Sequence, residues 1–196
     1  MGRIKSALEI ALERTESVKS DKSGVEQFET RQRGKRLANE YLENPKEVSL
    51  GDAIKKAPKE QQAALKQGVF DVLISQISLP ASPEDEERLA AAGKGLELVI
   101  GDGRFTALFK QLSQALSRYM DEAARYEEAI RRQYAPKLRQ KEEEIARRIG
   151  RPIQLDPFQD PEFTAFYNQQ MNALKGNYEA AISQVKEQAV RMFESR

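Results

Sequence analysis

A track of apolar side chains with heptad spacing runs through the C-terminal half of the chain. Its members recur in steps of four and three residues: Leu112, Leu116, Tyr119, Ala123, Tyr126 and Ile130. This spacing places all of them on one face of an α-helix and is typical of a coiled-coil seam. The composition agrees, since Ala, Glu, Lys, Leu and Arg make up 95 of the 196 residues. The sequence therefore predicts an all-α fold dominated by long helices.

Two long helices joined by a short connection are predicted for residues 104–196. The first continues the seam through Tyr134 to about Ile149, although Pro136 should kink this helix or split it near Tyr134. A proline-rich connection over about 150–161 precedes a second amphipathic helix. Because the connection is short, we expect the two helices to fold back as an antiparallel hairpin, coiled-coil-like, with the connection as its tip.

Several shorter helices are predicted for the N-terminal region, residues 1–103. Apolar spacing indicates helices over about 3–19, 25–43 and 58–79, a short helix near 50, and another from about 83. We expect a break at 21–24, and Gly93 and Gly95 should break or bend the last of these helices. A strand over 69–74 is an alternative. These helices either pack along the hairpin or form a domain beside it.

Three short motifs mark helix starts. Ser49 stands three residues before Asp52, Ser82 precedes Pro83, and Asp160 precedes Pro161 and Glu162. A serine or aspartate side chain can accept a hydrogen bond from a free amide of the first turn, and proline suits the first helical position. Each motif therefore predicts a helix that begins immediately after it.

The chain lacks the side chains on which many catalytic sites depend. It contains no histidine, cysteine or tryptophan. Ser–His and Cys–His mechanisms, thiolate zinc sites and Glu-x-x-His di-metal sites are therefore excluded, although carboxylate pairs and carboxylate-bound magnesium stay open. We expect a protein that is not an enzyme and that holds no cofactor or metal. No apolar run approaches the roughly 18 residues of a membrane span, and the N-terminus does not resemble a signal peptide, so we expect a cytoplasmic protein that does not bind membranes.

Two basic stretches could bind nucleic acid, although the net charge is only +1. The first consists of Arg31, Arg33, Lys35 and Arg36, and the second of Arg131, Arg132, Tyr134, Lys137, Arg139 and Lys141. Cations in a row can follow a phosphate backbone, and Tyr134 could stack on a base. The alternative is a solvated helix surface, because Glu127 and Glu128 precede Arg131 and Arg132 at ion-pair spacing.

The predicted hairpin tip carries three apolar residues, Ile153, Leu155 and Phe158, between prolines. A stiff loop loses little conformational entropy on binding, so these residues could contact a partner protein. Alternatively, they fold back and cover the ends of the two helices.

These features favour a non-enzymatic interaction or scaffold protein that uses the hairpin to bind protein partners or to self-associate. Because a two-helix hairpin buries little surface, a homodimer is one hypothesis that follows. The alternative function is that of an RNA- or ribosome-associated, or DNA-associated, binding protein that uses stretches 31–36 and 131–141.

Overall fold

A computed structural model describes the backbone of residues 7–195 and the side chains of residues 23–195. Within these residues the fold is all-α, as predicted. The helices are α1 (Ala7–Glu43), α2 (Leu50–Lys56), α3 (Lys59–Ser75), α4 (Pro83–Ile100), α5 (Gly103–Ile149) and α6 (Pro161–Glu194), with a 3-10 turn at Pro157–Gln159. The described residues contain no strand, so the alternative of a strand over 69–74 is wrong, and these residues belong to α3.

Two predicted helix breaks are absent. Helix α1 is continuous through 21–24, and α4 is continuous through Gly93 and Gly95. A glycine inside a helix costs only about 1 kcal/mol relative to alanine, and packing offsets that cost. Gly95 is buried, and a Cβ atom on it would lie 2.6 Å from Leu73 Cδ1. The predicted start of the first helix at about residue 3 lies outside the described residues.

The predicted start motifs are confirmed. The amide of Asp52 donates to Ser49 Oγ at 3.3 Å, that of Asp85 to Ser82 Oγ at 3.3 Å, and that of Glu162 to Asp160 Oδ1 at 3.1 Å. Helix α3, however, ends at Ser75 rather than near Leu79. Its last turn tightens there, because the amide of Gln76 bonds to Leu73 O.

The described chain divides into two compact units. Unit 1 contains the described residues up to Ile77 together with Ala90–Gly103, and unit 2 contains Ser78–Leu89 together with the described residues from Arg104. Segment 78–89 thus groups with the long helices, whereas the sequence division at 103 and 104 places it with the N-terminal region.

Unit 1 is organised by the close packing of α1 against α3. At the crossing, Gly34 faces Gly68, and a Cβ atom on Gly34 would lie only 2.2 Å from Leu65 O. A Cβ atom on Gly68 would lie 2.0 Å from Arg31 O. The two backbones can approach this closely only because both residues lack a side chain. The buried apolar core around the crossing includes Ala38, Leu65, Val69, Leu73, Leu96 and Ile100.

Unit 2 is built on α5 and α6. Their contacts pair residues in opposite order along the chain: Tyr119 with Tyr178, Tyr126 with Gln170, and Tyr134 with Phe163. This order is that of an antiparallel hairpin, with a buried core at Ile130, Tyr134, Phe163 and Met171.

Helix α5 is not split at Pro136. It runs for 47 residues, about 70 Å at 1.5 Å per residue, with Pro136 inside it. Proline removes one intrahelical hydrogen bond, but Tyr134 and Leu138 on either side pack in the hairpin core. This packing holds the helix together across the proline. No helix among the described residues has an apolar stretch that could cross a membrane.

We predict that Gly34→Ala and Gly68→Ala each destabilise unit 1 by about 1–3 kcal/mol, because the added methyl group would meet a backbone carbonyl and push the helices apart. Gly176→Ala is the matched control, since a Cβ atom there meets nothing within 4 Å. It should be neutral or stabilise α6 by up to about 1 kcal/mol. Urea unfolding followed by circular dichroism measures the three changes. If the two variants at the crossing were as stable as Gly176→Ala, the close contact between α1 and α3 would be contradicted.

Candidate functional site

A charged network joins α5 to the start of α6 beside the hairpin tip. It consists of Tyr134, Lys137, Lys141, Asp160 and Glu162, and we call it the hairpin network. Asp160 caps α6, and only 7% of it is exposed. A buried carboxylate is stable only when it accepts hydrogen bonds and is paired with a cation. The groups that surround Asp160 therefore explain where α6 begins beside α5, and with it the position of the tip.

The lysines of α5 supply the opposing charge. Lys141 Nζ lies 2.9 and 2.8 Å from the two carboxylate oxygens of Asp160 and 2.6 Å from Glu162 Oε2. Lys137, one helical turn earlier, places its Nζ 2.9 Å from the same Glu162 oxygen. The hydroxyl of Tyr134 donates to Asp160 Oδ2 at 2.9 Å. All charged groups of the network are therefore matched by opposite charges.

The contacts within the network move the pKa values of its members away from neutral pH. Hydrogen bonds from Lys141 and Lys137 lower the pKa of Glu162 to about 2, and the hydrogen bond from Lys141 lowers the pKa of Asp160. The same contacts raise the pKa of Lys141, and burial together with Asp160 raises the pKa of the Tyr134 hydroxyl. A general acid or base works best with a pKa near the operating pH. The network therefore suits a structural role.

Phe158 lies on an aromatic base beside the network. Its ring centre is 5.2 Å from that of Phe163 and 5.1 Å from that of Tyr167, both edge to face. The Arg131 guanidinium carbon lies 5.0 Å from the Phe158 ring centre, in a cation–π contact. Even so, 43% of Phe158 remains exposed. The ring is therefore fixed by three contacts and is still partly open to solvent.

The rest of the tip is tied to α5 and to itself. The Leu155 amide donates to Glu142 Oε1 at 2.8 Å, and the Phe158 amide donates to Asp156 Oδ1 at 3.0 Å. Ile153 and Leu155 are half-buried. Of the three apolar tip residues predicted to bind a partner, Phe158 is thus the most accessible, and all three keep that role as a prediction.

The second basic stretch is largely engaged within unit 2. Arg131 pairs with Glu127 at 2.8 Å and Arg132 with Glu128 at 2.7 Å, at the ion-pair spacing seen in the sequence. Lys137 and Lys141 belong to the hairpin network. Tyr134 is only 8% exposed and contacts Phe163 and Phe166, a geometry that does not favour stacking on a base. Arg139 is exposed and has no acidic partner within the part of the chain that the structure describes.

The first basic stretch is divided between two surroundings. Arg31 pairs with Asp71 of α3 at 2.6 Å, and Lys35 is half-buried. Arg33 and Arg36 instead line a cleft of about 360 Å³ together with Lys56 at the end of α2, and we call it the basic cleft. The remaining lining residues are Leu37, Glu40, Ala53, Ala57, Pro58 and Leu65. Lys56 was not among the sequence candidates, because nothing local connects it to α1.

Within the described side chains, residues 23–195, no three acidic residues come together in a way that could hold a metal ion. The isolated acidic run Glu142–Glu144 illustrates this, since Glu142 binds the Leu155 amide and Glu144 faces Arg148 at 3.9 Å.

We predict that the hairpin loses stability in acid. Because Asp160 and Glu162 have folded-state pKa values below their ordinary values of about 4, their stabilising contribution is complete above those ordinary values. It is lost as the pH falls towards 2. The urea midpoint of unit 2 should therefore fall between pH 5 and pH 2, and the fall should be smaller in Asp160→Asn and Glu162→Gln.

Tyrosine fluorescence follows this transition, since all tyrosines except Tyr41 belong to unit 2. Glu128→Gln is the matched control, because Glu128 pairs with Arg132 on the exposed surface. It should leave the pH dependence of wild type unchanged. An identical pH dependence in Asp160→Asn and in wild type would contradict the role of the network.

The comparisons with known proteins give one match. A family model described as "Family of unknown function (DUF6657)" matches residues 51–191, which include α3–α5, most of α6 and the whole hairpin network. No curated protein matches, and no solved structure matches. Because the family model covers well over half of the 196 residues, the chain belongs to the DUF6657 family.

Proposed function

We propose that this protein is a non-enzymatic interaction protein whose hairpin tip binds a protein partner. The observation that carries the proposal is the exposed ring of Phe158, which is fixed on Phe163 and Tyr167 and below Arg131. Aromatic side chains anchored in this way often dominate the binding energy of protein interfaces. The tip would therefore present one rigid apolar anchor.

Immobilisation of the tip supports this proposal. Ordering a mobile side chain at an interface costs about 0.5–1.5 kcal/mol, and Phe158 is already ordered by three ring contacts. The backbone around it is held by the Leu155 and Asp156 hydrogen bonds and by the capping carboxylate of Asp160. Half-buried Ile153 and Leu155 extend the apolar surface. A partner with an apolar pocket would bind this surface with little rearrangement.

The absence of enzymatic activity is part of the same proposal. The composition lacks histidine and cysteine, and the hairpin network holds its carboxylates and lysines in ion pairs whose pKa values lie far from neutrality. Nucleic-acid binding is the second candidate. It would depend on Arg33, Lys35, Arg36 and Arg139, which have no acidic partner within residues 23–195.

Self-association is a further form of the proposed interaction. Val25 and Phe28 lie three residues apart on α1, and both are mostly exposed. Large apolar side chains placed together on a helix surface mark a contact site more often than scattered ones do. A second copy of the chain could cover these residues. Sedimentation analysis of wild type and of Phe28→Ser tests this arrangement, because the substitution should lower the proportion of dimer.

We predict that a photo-reactive benzoyl-phenylalanine at position 158 crosslinks the native partner in cells that normally produce this protein. The matched control is the same group at position 98, because Leu98 is exposed to a similar extent, 49% against 43%, but is not part of the tip. Crosslinking at 158 and not at 98 is the expected result, and Leu155→Ala should weaken it. Mass spectrometry of the adduct identifies the partner.

Two outcomes would contradict the tip as the binding surface. One is the absence of any adduct at 158, and the other is equal adduct formation at 158 and 98. An adduct of twice 22.2 kDa would indicate a homodimer through the tip, in place of a second protein. The thermal stability of the substituted chain must match that of wild type, which shows that the tip keeps its structure.

A further inference from the structure

The basic cleft of unit 1 brings together cations from two helices. Arg33 and Arg36 lie on α1 and Lys56 lies at the end of α2, and all three line a cleft of about 360 Å³. This volume falls at the lower end of the range typical of small-molecule sites, about 300–1,000 Å³. The cleft lies entirely within unit 1 and shares no residue with the hairpin tip.

The three cations of the cleft form no ion pair within the described residues. Arg33 reaches only the neutral amide oxygen of Gln61, at 3.5 Å. This contact is at the outer limit for a hydrogen bond. The neighbouring Arg31 shows the contrast, since its guanidinium is bound by the carboxylate of Asp71. The donors of the cleft are therefore available to a ligand.

The balance of charge in the cleft favours a dianion. Three cations and one carboxylate, Glu40, line it, which leaves an excess of two positive charges. A phosphomonoester carries about −1.5 to −2 charges at neutral pH, whereas a carboxylate or one phosphodiester carries −1. Guanidinium groups also match phosphate oxygens with paired hydrogen bonds. A phosphomonoester therefore neutralises the excess of two positive charges, whereas a monoanion would leave one of them unneutralised.

The remaining lining of the cleft is apolar. Leu37, Ala53, Ala57, Pro58 and Leu65 form this part, and Leu65 also belongs to the core of unit 1. An apolar surface next to a cationic rim is suited to a ligand with an anionic head and a compact apolar body. Burial of that body adds about 25 cal/mol for each Å² removed from water.

We propose that the basic cleft binds a small phosphomonoester whose body is compact and apolar. Arg33, Arg36 and Lys56 hold the phosphate group, and the apolar lining contacts the body. The site is independent of the function proposed for the tip, so either can be present without the other.

Ligand-observed NMR titration of the full chain with phenyl phosphate tests this site at low salt. Phenyl phosphate should bind saturably, and at least tenfold more tightly than inorganic phosphate, which lacks the apolar body, or benzoate, which carries a single charge. Arg36→Gln and Lys56→Gln should each raise the dissociation constant about tenfold, the size of one charge-assisted hydrogen bond. Lys94→Gln is the matched control, because Lys94 is an exposed lysine of unit 1 outside the cleft, and it should cause no change.

Four results would overturn the proposal. An equal effect of Lys94→Gln and Lys56→Gln would show non-specific attraction, and benzoate that binds as well as phenyl phosphate would exclude selection for a dianion. If inorganic phosphate binds as tightly as phenyl phosphate, the apolar lining does not contribute to binding of the ligand. The last result concerns larger ligands, tested with a single-stranded oligonucleotide and a seven-residue phosphoserine peptide. If either binds through Arg36 and Lys56 while phenyl phosphate does not, the cleft is a site for a macromolecule.

Discussion

The arrangement of the hairpin depends on the buried carboxylate of Asp160. It accepts hydrogen bonds from the first turn of α6, from the Tyr134 hydroxyl and from the Lys141 ammonium. A buried carboxylate that lacked these partners would cost several kcal/mol, so the register of the two helices that supplies all of them is favoured. That register also brings Phe163 against Tyr134 and supports Phe158 from below. One capping residue thereby links the helix start, the pairing of the helices and the accessible surface of the tip.

The near-neutral net charge conceals an uneven distribution of paired and unpaired charges. In unit 2 the cations of stretch 131–141 are mostly matched by acids, either along α5 or across the hairpin network. In unit 1, Arg33, Arg36 and Lys56 border the basic cleft without such partners in the described residues. Since an ion pair on the protein cancels the field that would attract an anion, pairing determines where an anionic ligand can bind more than the number of cations does.

Much of the secondary structure was accessible from the sequence because its signals are local. The caps at Ser49, Ser82 and Asp160 act within three residues, and the α5 seam repeats within seven. The same local reasoning was wrong about the helix breaks at 21–24 and at Gly93 and Gly95, because α1 and α4 are continuous there. Gly95 lies against Leu73 of α3, and α5 is not split at Pro136 because Tyr134 and Leu138 pack in the hairpin core. In each case a neighbour distant in sequence provides the stabilisation that offsets the local preference.

The sequence alone thus determined the helical class, the starts of three helices, the face of α5 that is buried, and the absence of histidine and cysteine chemistry. Only the tertiary structure decided which charges are neutralised by residues far away in the sequence and which remain available. Lys141 is separated from Asp160 by 19 residues, and Arg31 from Asp71 by 40. Whether such groups meet depends on helix register and crossing, which are set by packing over the whole unit. Periodicity shows which side of a helix faces a neighbour, but it does not show which residue of that neighbour lies opposite.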